Sequence, residues 1–234
     1  MRYPHSLLHV PRTSRADAQL GLILAFIAGG LNAGGFLIVG VYTSHMSGLV
    51  SSLADNLVLA VWPLIATALA AISAFLGGAM LSAWLVNWAR RHHAHRQYAL
   101  PLALEGLLIL GFGLLEITHP PLPHLQACAI ALLCGIMGLQ NATITKASGA
   151  TIRTTHVTGI TTDIGIELGK LPYGTTDFAK LRLLTSLLTC FFSGGILGAI
   201  GFKTCGPAFA VVYAAMLLVL TIPVLVHRPA PPAA

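Results

Sequence analysis

Two short polar stretches carry the residues that could do chemistry. "TSHMSG" occupies residues 43–48 and "TTHVTG" residues 154–159. Thr43, His45 and Gly48 recur as Thr154, His156 and Gly159, and Ser44 and Ser47 become Thr155 and Thr158, so a hydroxyl is kept at both places. An imidazole titrates near neutral pH and a hydroxyl both donates and accepts, which suits a small polar solute or a proton. Ser47 and Thr158 are the expected N-caps of the segments that follow. A helix start presents free N–H groups and the positive end of the dipole, which favours a small anion or a carboxylate. The glycines let backbone approach backbone or ligand. The candidate substrate-binding residues are therefore Asn32, Thr43, His45, Ser47, Gly48, Asn141, Thr155, His156, Thr158, Gly159 and Thr162. Asn32 and Asn141 are expected to bond between helices or to the interrupted backbone.

Carboxylates form a second candidate group. Asp163 and Glu167 are four residues apart and share a helix face. Lys170 lies one turn beyond and can pair with Glu167. The first stretch offers Ser52 and Asn56 in the matching positions, with Asp55 adjacent. Asp163, Glu167 and Asp55 are thus candidates for ion or proton coupling in a cavity. The competing reading is an interfacial helix with an ordinary salt bridge. Glu105 and Glu116 are expected at the membrane interfaces. "RRHHAHR" at 90–96 reads as a positively charged loop, with a lipid-headgroup or metal cluster as the alternative. Cys128, Cys134, Cys190 and Cys205 show no CxxC or zinc spacing, and HExxH and GxSxG are missing. No enzyme activity, metal or cofactor is expected.

Such residues need elements to hold them, and composition says which. Only 9% of the 234 residues are charged, 56% are hydrophobic, and the mean hydropathy is +0.81. A soluble domain carries about 25% charged residues. A chain this short cannot bury so much apolar side chain in a water-soluble core, so the partner is the lipid bilayer. The net charge of +6 lies between apolar runs without an aromatic-interleaved patch, which excludes nucleic acid. A membrane-crossing helix needs about 20 apolar residues. Spans are predicted near 20–41, 64–88, 101–118, 124–143, 181–202 and 207–226, divided by "HPPLP" at 119–123, "LPYGTTD" at 171–177 and "TCGP" at 204–207. Residues 48–60 and 158–170 are too short and polar to span and are read as half-helices, re-entrant or interfacial.

The halves match beyond the first motif. Asn32-Ala33 corresponds to Asn141-Ala142, and "FLGG" at 75–78 to "FSGG" at 192–195. The glycine pairs 77–78 and 194–195 are read as close-packing sites between helices. Three spans per half reverse the second copy. The expected fold is all-α: six transmembrane helices in two inverted three-helix repeats, each with an extra interrupted helix. Residues 1–19 form a basic cytoplasmic segment without a signal-peptide core, 20–118 the first repeat, 119–226 the second, and 227–234 a disordered tail. With a cytoplasmic N-terminus, twelve of the 13 Lys and Arg residues fall inside and only Lys203 outside. That distribution implies a multi-pass membrane protein with both termini inside. A homo-oligomer is compatible with it.

The stretches "GGLNAGGFLIVGVYTSHMSGLVSSLADNL" and "GLQNATITKASGATIRTTHVTGITTDIGIELGK" resemble the YoaK-like family of uncharacterised bacterial integral membrane proteins with six predicted spans. The resemblance runs from about residue 18 to 226. Leu49 and Ile160 stand where many members have asparagine. It implies the fold class and localisation and transfers no activity. Inverted repeats with facing interrupted helices are the architecture of many secondary transporters. The expected function is a secondary transporter or permeation protein for a small solute, an anion among the candidates, with a membrane sensor or scaffold as the alternative. A topology test follows. Cysteines replacing Ser44 and Ser148, on a cysteine-free background, should be labelled from opposite sides of the membrane; labelling from one side would refute the inverted arrangement.

Overall fold

The computed structural model describes residues 7, 8, 10, 12–118 and 123–226. The tail and most of the "HPPLP" turn lie outside the described residues. Every described regular element is helical: α1 (Ser14–Val39), α2 (Met46–Leu59), α3 (Trp62–His92), α4 (Ala99–Thr118), α5 (Pro123–Ala147), α6 (Val157–Gly169), α7 (Phe178–Cys205) and α8 (Ala210–Val226), with 3₁₀ turns at Ala94–Arg96, Leu171–Tyr173 and Gly206–Phe209.

Local chemistry sets the ends. The Thr13 side chain accepts from the Ala16 N–H at 3.2 Å and starts α1, while Arg12 pairs with Asp17 in the first turn. Gly40, left-handed at φ 75°, ends α1 and turns the chain into the first motif. Asp177 caps α7 by accepting from the Lys180 N–H at 3.0 Å. The motif helices differ: no side chain caps α2 or α6, and their N-cap positions hold His45 and His156. This corrects the assignment of Ser47 and Thr158 as caps. Each sits two residues further on, inside the first turn, because the helix begins directly after the imidazole.

Among the described residues, five helical segments are long and apolar enough to cross a membrane: Ser14–Val39, Trp62–His92, Ala99–Ile117, Leu125–Ala147 and Phe178–Val226. The last is 49 residues long and contains α7 and α8, joined through the Gly206–Phe209 turn. Only 17% of the apolar window of α3 is buried, and Leu64, Leu69, Leu76, Met80 and Trp84 are exposed along it. An exposed apolar surface of that extent marks lipid contact.

The helices pack as α1 along α7, α3 along α5 and α4 along α8, with α1 and α5 meeting between them. The first two pairs are welded by glycine at corresponding points. A Cβ on Gly29 would collide with the Phe191 carbonyl and one on Gly194 with that of Phe26. In the other pair, Gly138 faces the Phe75 carbonyl and Gly78 that of Gly135. Small residues allow such backbone approach, which gains dispersion and Cα–H···O contacts that hydrocarbon cannot supply. The contacts match Phe75 to Phe191 and Gly78 to Gly194, so the "FLGG" to "FSGG" alignment is one residue out. Gly77 also meets nothing within 4 Å and is not a packing site.

Glu105 is a further correction. It is fully buried on α4 rather than interfacial, because Gln140 of α5 donates to it at 2.8 Å. At 90–96 the Arg96 side chain donates to His95 at 3.0 Å, and burial together with the Arg96 charge holds His95 below its ordinary range, neutral at pH 7. No group of three metal-ligating side chains forms there or elsewhere among the described residues. Ser148 is buried and bonded to the Ile144 carbonyl, so exposed Thr151 is the better labelling position in that loop.

The packing contrast is directly testable. Gly78→Leu should separate α3 from α5 and yield aggregated protein in fluorescence-detected size exclusion. Gly77→Leu, one residue away and facing open space, should elute as wild type. Equal behaviour would show that the backbone contact does not hold the pair together.

Candidate functional site

The break between α1 and α2 and the break between α5 and α6 face one cavity of about 1080 Å³. Asn32, Tyr42, Ser44, His45, Met46 and Ser47 line it from the first half, and Asn141, Thr145, Lys146, Arg153, Thr155, His156, Val157 and Thr158 from the second. Phe75, Phe191 and Gly138, all from the glycine-welded pairs, complete the wall.

Each break is held by an asparagine one to two turns before the end of the preceding helix. The Asn32 side-chain oxygen accepts from the Ser44 N–H and hydroxyl, both at 3.0 Å. Asn141 donates to the Thr155 hydroxyl at 2.7 Å and to the Met137 carbonyl at 2.9 Å. The loop after α1 is short and turns on Gly40; the loop after α5 turns on Gly149 at φ 59°. In both motifs the histidine ring folds back over the motif glycine: a Cβ on Gly48 would strike the His45 ring, and one on Gly159 the His156 ring. The glycines therefore seat the imidazoles and do not line the cavity. Neither imidazole has a hydrogen-bond partner among the described residues, and both are exposed to the cavity.

Electrostatically the cavity is one-sided. Among the described residues, Lys146 and Arg153 line it and no carboxylate does. Lys146 donates weakly to Asn87 at 3.4 Å, and the Arg153 guanidinium has no partner among the described residues. The uncapped starts of α2 and α6 add their first-turn N–H groups and positive dipole ends. Two cations, two helix starts, two amides and several hydroxyls converge on a space with no fixed negative charge.

The structure thus brings together Asn32, His45, Ser47, Asn141, Thr155, His156 and Thr158. It places the remaining candidates elsewhere. Thr43 is fully buried beside the cavity with its hydroxyl unpartnered. Thr162 donates to the Thr158 carbonyl on the exposed side of α6, and Asp55 is exposed on α2. Asp163 lies off the lining, half-exposed and 3.6 Å from Lys180. Glu167 is buried and satisfied: Lys170 donates at 2.9 Å, the Asp177 N–H at 3.1 Å, and Lys180 stands 3.5 Å away. The Lys170 hydrogen bond, helped by the Asp177 N–H, holds Glu167 below the ordinary carboxylate range. Asn56, in the matching position of α2, bonds only to Ser52 of its own helix.

Lys146, Arg153, Tyr42 and Thr145 were not among the sequence candidates. A signal existed for two of them. Thr145 is one turn from Asn141 on the same face, and Arg153 directly precedes the second motif. Both cations had served only as topology markers.

Two substitutions separate seating from mere space. Gly159→Ala should displace the His156 imidazole while leaving α6 folded, seen as a shifted imidazole NMR resonance with unchanged circular dichroism. Gly165→Ala, with open space around it, should shift nothing. Glu167→Gln should loosen the α6–α7 turn. The native carboxylate is depressed, so its stabilisation is present above the unfolded pKa and lost as pH falls through the folded one. The mutant's melting temperature should therefore lose that acid-limb dependence.

No curated protein and no solved structure matches the chain. One family does, over residues 20–223, described as a protein of unknown function, DUF1275. The match takes in both motifs, all the cavity-lining residues and every spanning segment in whole or large part, and on that extent this helical membrane chain belongs to the DUF1275 family.

Proposed function

We propose that the protein is a permeation protein of the bacterial cytoplasmic membrane that carries a small anion through the cavity between its two motifs. One observation carries this reading: two uncapped helix starts and two cations line a single cavity from which carboxylates are excluded. A cation would meet two like charges there. An anion would meet donors from both halves, much as half-helix termini meet substrate anions in transporters with broken helices.

The path requires a topology. We take the chain to cross six times, with α7 and α8 as separate crossings, and the halves to be inverted repeats. Support comes from the matched glycine contacts, from the asparagine brace at both breaks and from the mirrored packing of α1 on α7 and α5 on α3. The two breaks then approach the middle of the bilayer from opposite faces. The inside location of both termini rests on the lysine and arginine distribution. Nothing in the cavity pairs a nucleophile with a hydrogen-bonded base among the described residues, and the reading assigns it no catalysis.

Proteoliposomes loaded with the purified chain and offered labelled chloride, nitrate, formate and phosphate provide the test. Saturable uptake of at least one is expected. A hydrogen bond from a charged donor is worth about 1.5–3 kcal/mol, so Arg153→Gln should weaken apparent affinity about tenfold or more. Asp163→Asn, off the cavity, should leave uptake intact. Anion binding without flux would instead favour a membrane sensor, and indifference to all four would remove the anion reading.

A further inference from the structure

Behind the second motif lies a buried polar chain that the cavity walls do not use. The Thr154 hydroxyl donates to the Gln140 side-chain oxygen at 3.0 Å, and the Gln140 amide nitrogen donates to Glu105 at 2.8 Å. All three side chains are fully buried. The other Glu105 carboxylate oxygen has no partner. Thr154 sits between Arg153 and Thr155, both of which line the cavity.

The fold does not require this chain. Leu31 precedes Asn32 where Gln140 precedes Asn141, and it is fully buried and apolar. Thr43 precedes Ser44 as Thr154 precedes Thr155, and its hydroxyl has no partner. The first half closes the same corner with a leucine, so packing alone does not demand the chain of Thr154, Gln140 and Glu105. Burying a carboxyl without a cation is expensive. Among the described side chains on the elements packed against α4, the titratable groups are Cys128, Cys134 and Lys146 of α5, Tyr213 of α8, and Arg90, Arg91 and His92 of α3. None makes a hydrogen bond or ion pair to Glu105 among the described residues.

We infer that Glu105 is a proton-binding site coupled to the anion cavity through Gln140 and Thr154. The inference takes its ligand from the anion reading above, while the proton site itself stands on the geometry of the chain. With Glu105 ionised, the amide nitrogen of Gln140 must face it, and Thr154 donates away from the cavity side, as observed. When a proton from water adds to a Glu105 oxygen, the new O–H needs an acceptor. Rotation of the Gln140 amide supplies its oxygen, and its nitrogen then donates to Thr154, whose hydroxyl proton is freed to point elsewhere. Protonation also removes a buried negative charge from behind the cavity wall. Both changes favour an anion in the cavity, and by linkage an anion favours the protonated form. Anion affinity should rise with acidification, about 5–150-fold across the titration, the usual size of coupling between two sites.

The test is infrared difference spectroscopy on the full chain in nanodiscs, with chloride and formate as probes. Wild type should show a protonated-carboxyl band that falls as pH rises and grows when either anion is added at fixed pH. Glu105→Gln should remove the band and make anion affinity independent of pH. Gln140→Leu, which copies the first half, should keep the band and lose its growth with anion. If Glu105→Gln fails to fold, Glu105→Asp moves the carboxyl and should shift the band's midpoint. A band that does not titrate, that survives in Glu105→Gln or stays put in Glu105→Asp, or that ignores both anions overturns the inference. A responsive Glu105 band in protein that shows no flux strikes down transport alone and leaves the proton site standing.

Discussion

Hydrocarbon offers no hydrogen-bond partner to a peptide group freed from a helix, and the rest of this molecule is arranged around that fact. The chain leaves helical geometry between α1 and α2 and again between α5 and α6. Those breaks can persist within a bilayer only inside protein or against water. Asn32 and Asn141 reach across to hold the departing loops, and the first residues of α2 and α6 line the cavity. The cavity is where the donors that no side chain caps can meet water or solute. Its walls need close-set helices, and these come from glycines that let α1 reach α7 and α3 reach α5 at backbone distance. A bulkier residue at Gly29 or Gly138 would push apart the helices that shield the breaks from lipid.

The two halves share this scaffold and differ in what they hang on it. Each has a buried threonine as the first residue of its motif, an asparagine brace, a histidine at the helix start and a glycine beneath its ring. Charge is distributed otherwise. Lys146 and Arg153 belong to the second half, as does the Glu105-directed chain through Gln140. Asn56 bonds within its own helix, whereas the matching Glu167 ties α6 to α7 through Lys170 and the Asp177 backbone. One half is therefore a neutral wall and the other a cationic one with an anchored helix. An anion entering such a space is drawn toward the second motif.

Much of this was legible in the sequence, for physical reasons. The long apolar runs were readable because lipid demands them, although the helices reach up to six residues beyond the predicted ends and the last two predicted spans fall in one continuous apolar segment, Phe178–Val226. The short helices betrayed themselves by being both polar and repeated. Register was harder. "FLGG" and "FSGG" match as letters one residue away from where they match as contacts, because either glycine of a pair looks equally able to pack and only the facing carbonyl chooses between Gly77 and Gly78. The caps were misplaced for a related reason. Serine and threonine are better caps in general, but here the helix starts under a histidine whose ring lies over the glycine three residues on. Glu105 was invisible because its partner is 35 positions away on another helix. A carboxylate near the end of an apolar run has the same letters whether it faces headgroups or an amide.

The asymmetry of charge also bears on what a membrane fold with two matching motifs can do. Two identical halves facing each other would present the same groups to a solute from both sides and could not hold different charges at the two ends of one cavity. Divergence at a few positions is enough to break that constraint while the scaffold stays. Leucine against glutamine before the brace, and asparagine against glutamate on the short helix, leave the glycine contacts untouched. The changes that matter for chemistry sit where the packing does not depend on them, at helix ends and behind the loops. The residues that hold the helices together are glycines and backbone carbonyls, which carry no charge to vary. The second half can therefore carry its cations, and the amide that reaches the buried Glu105, without loosening the weld that both halves share.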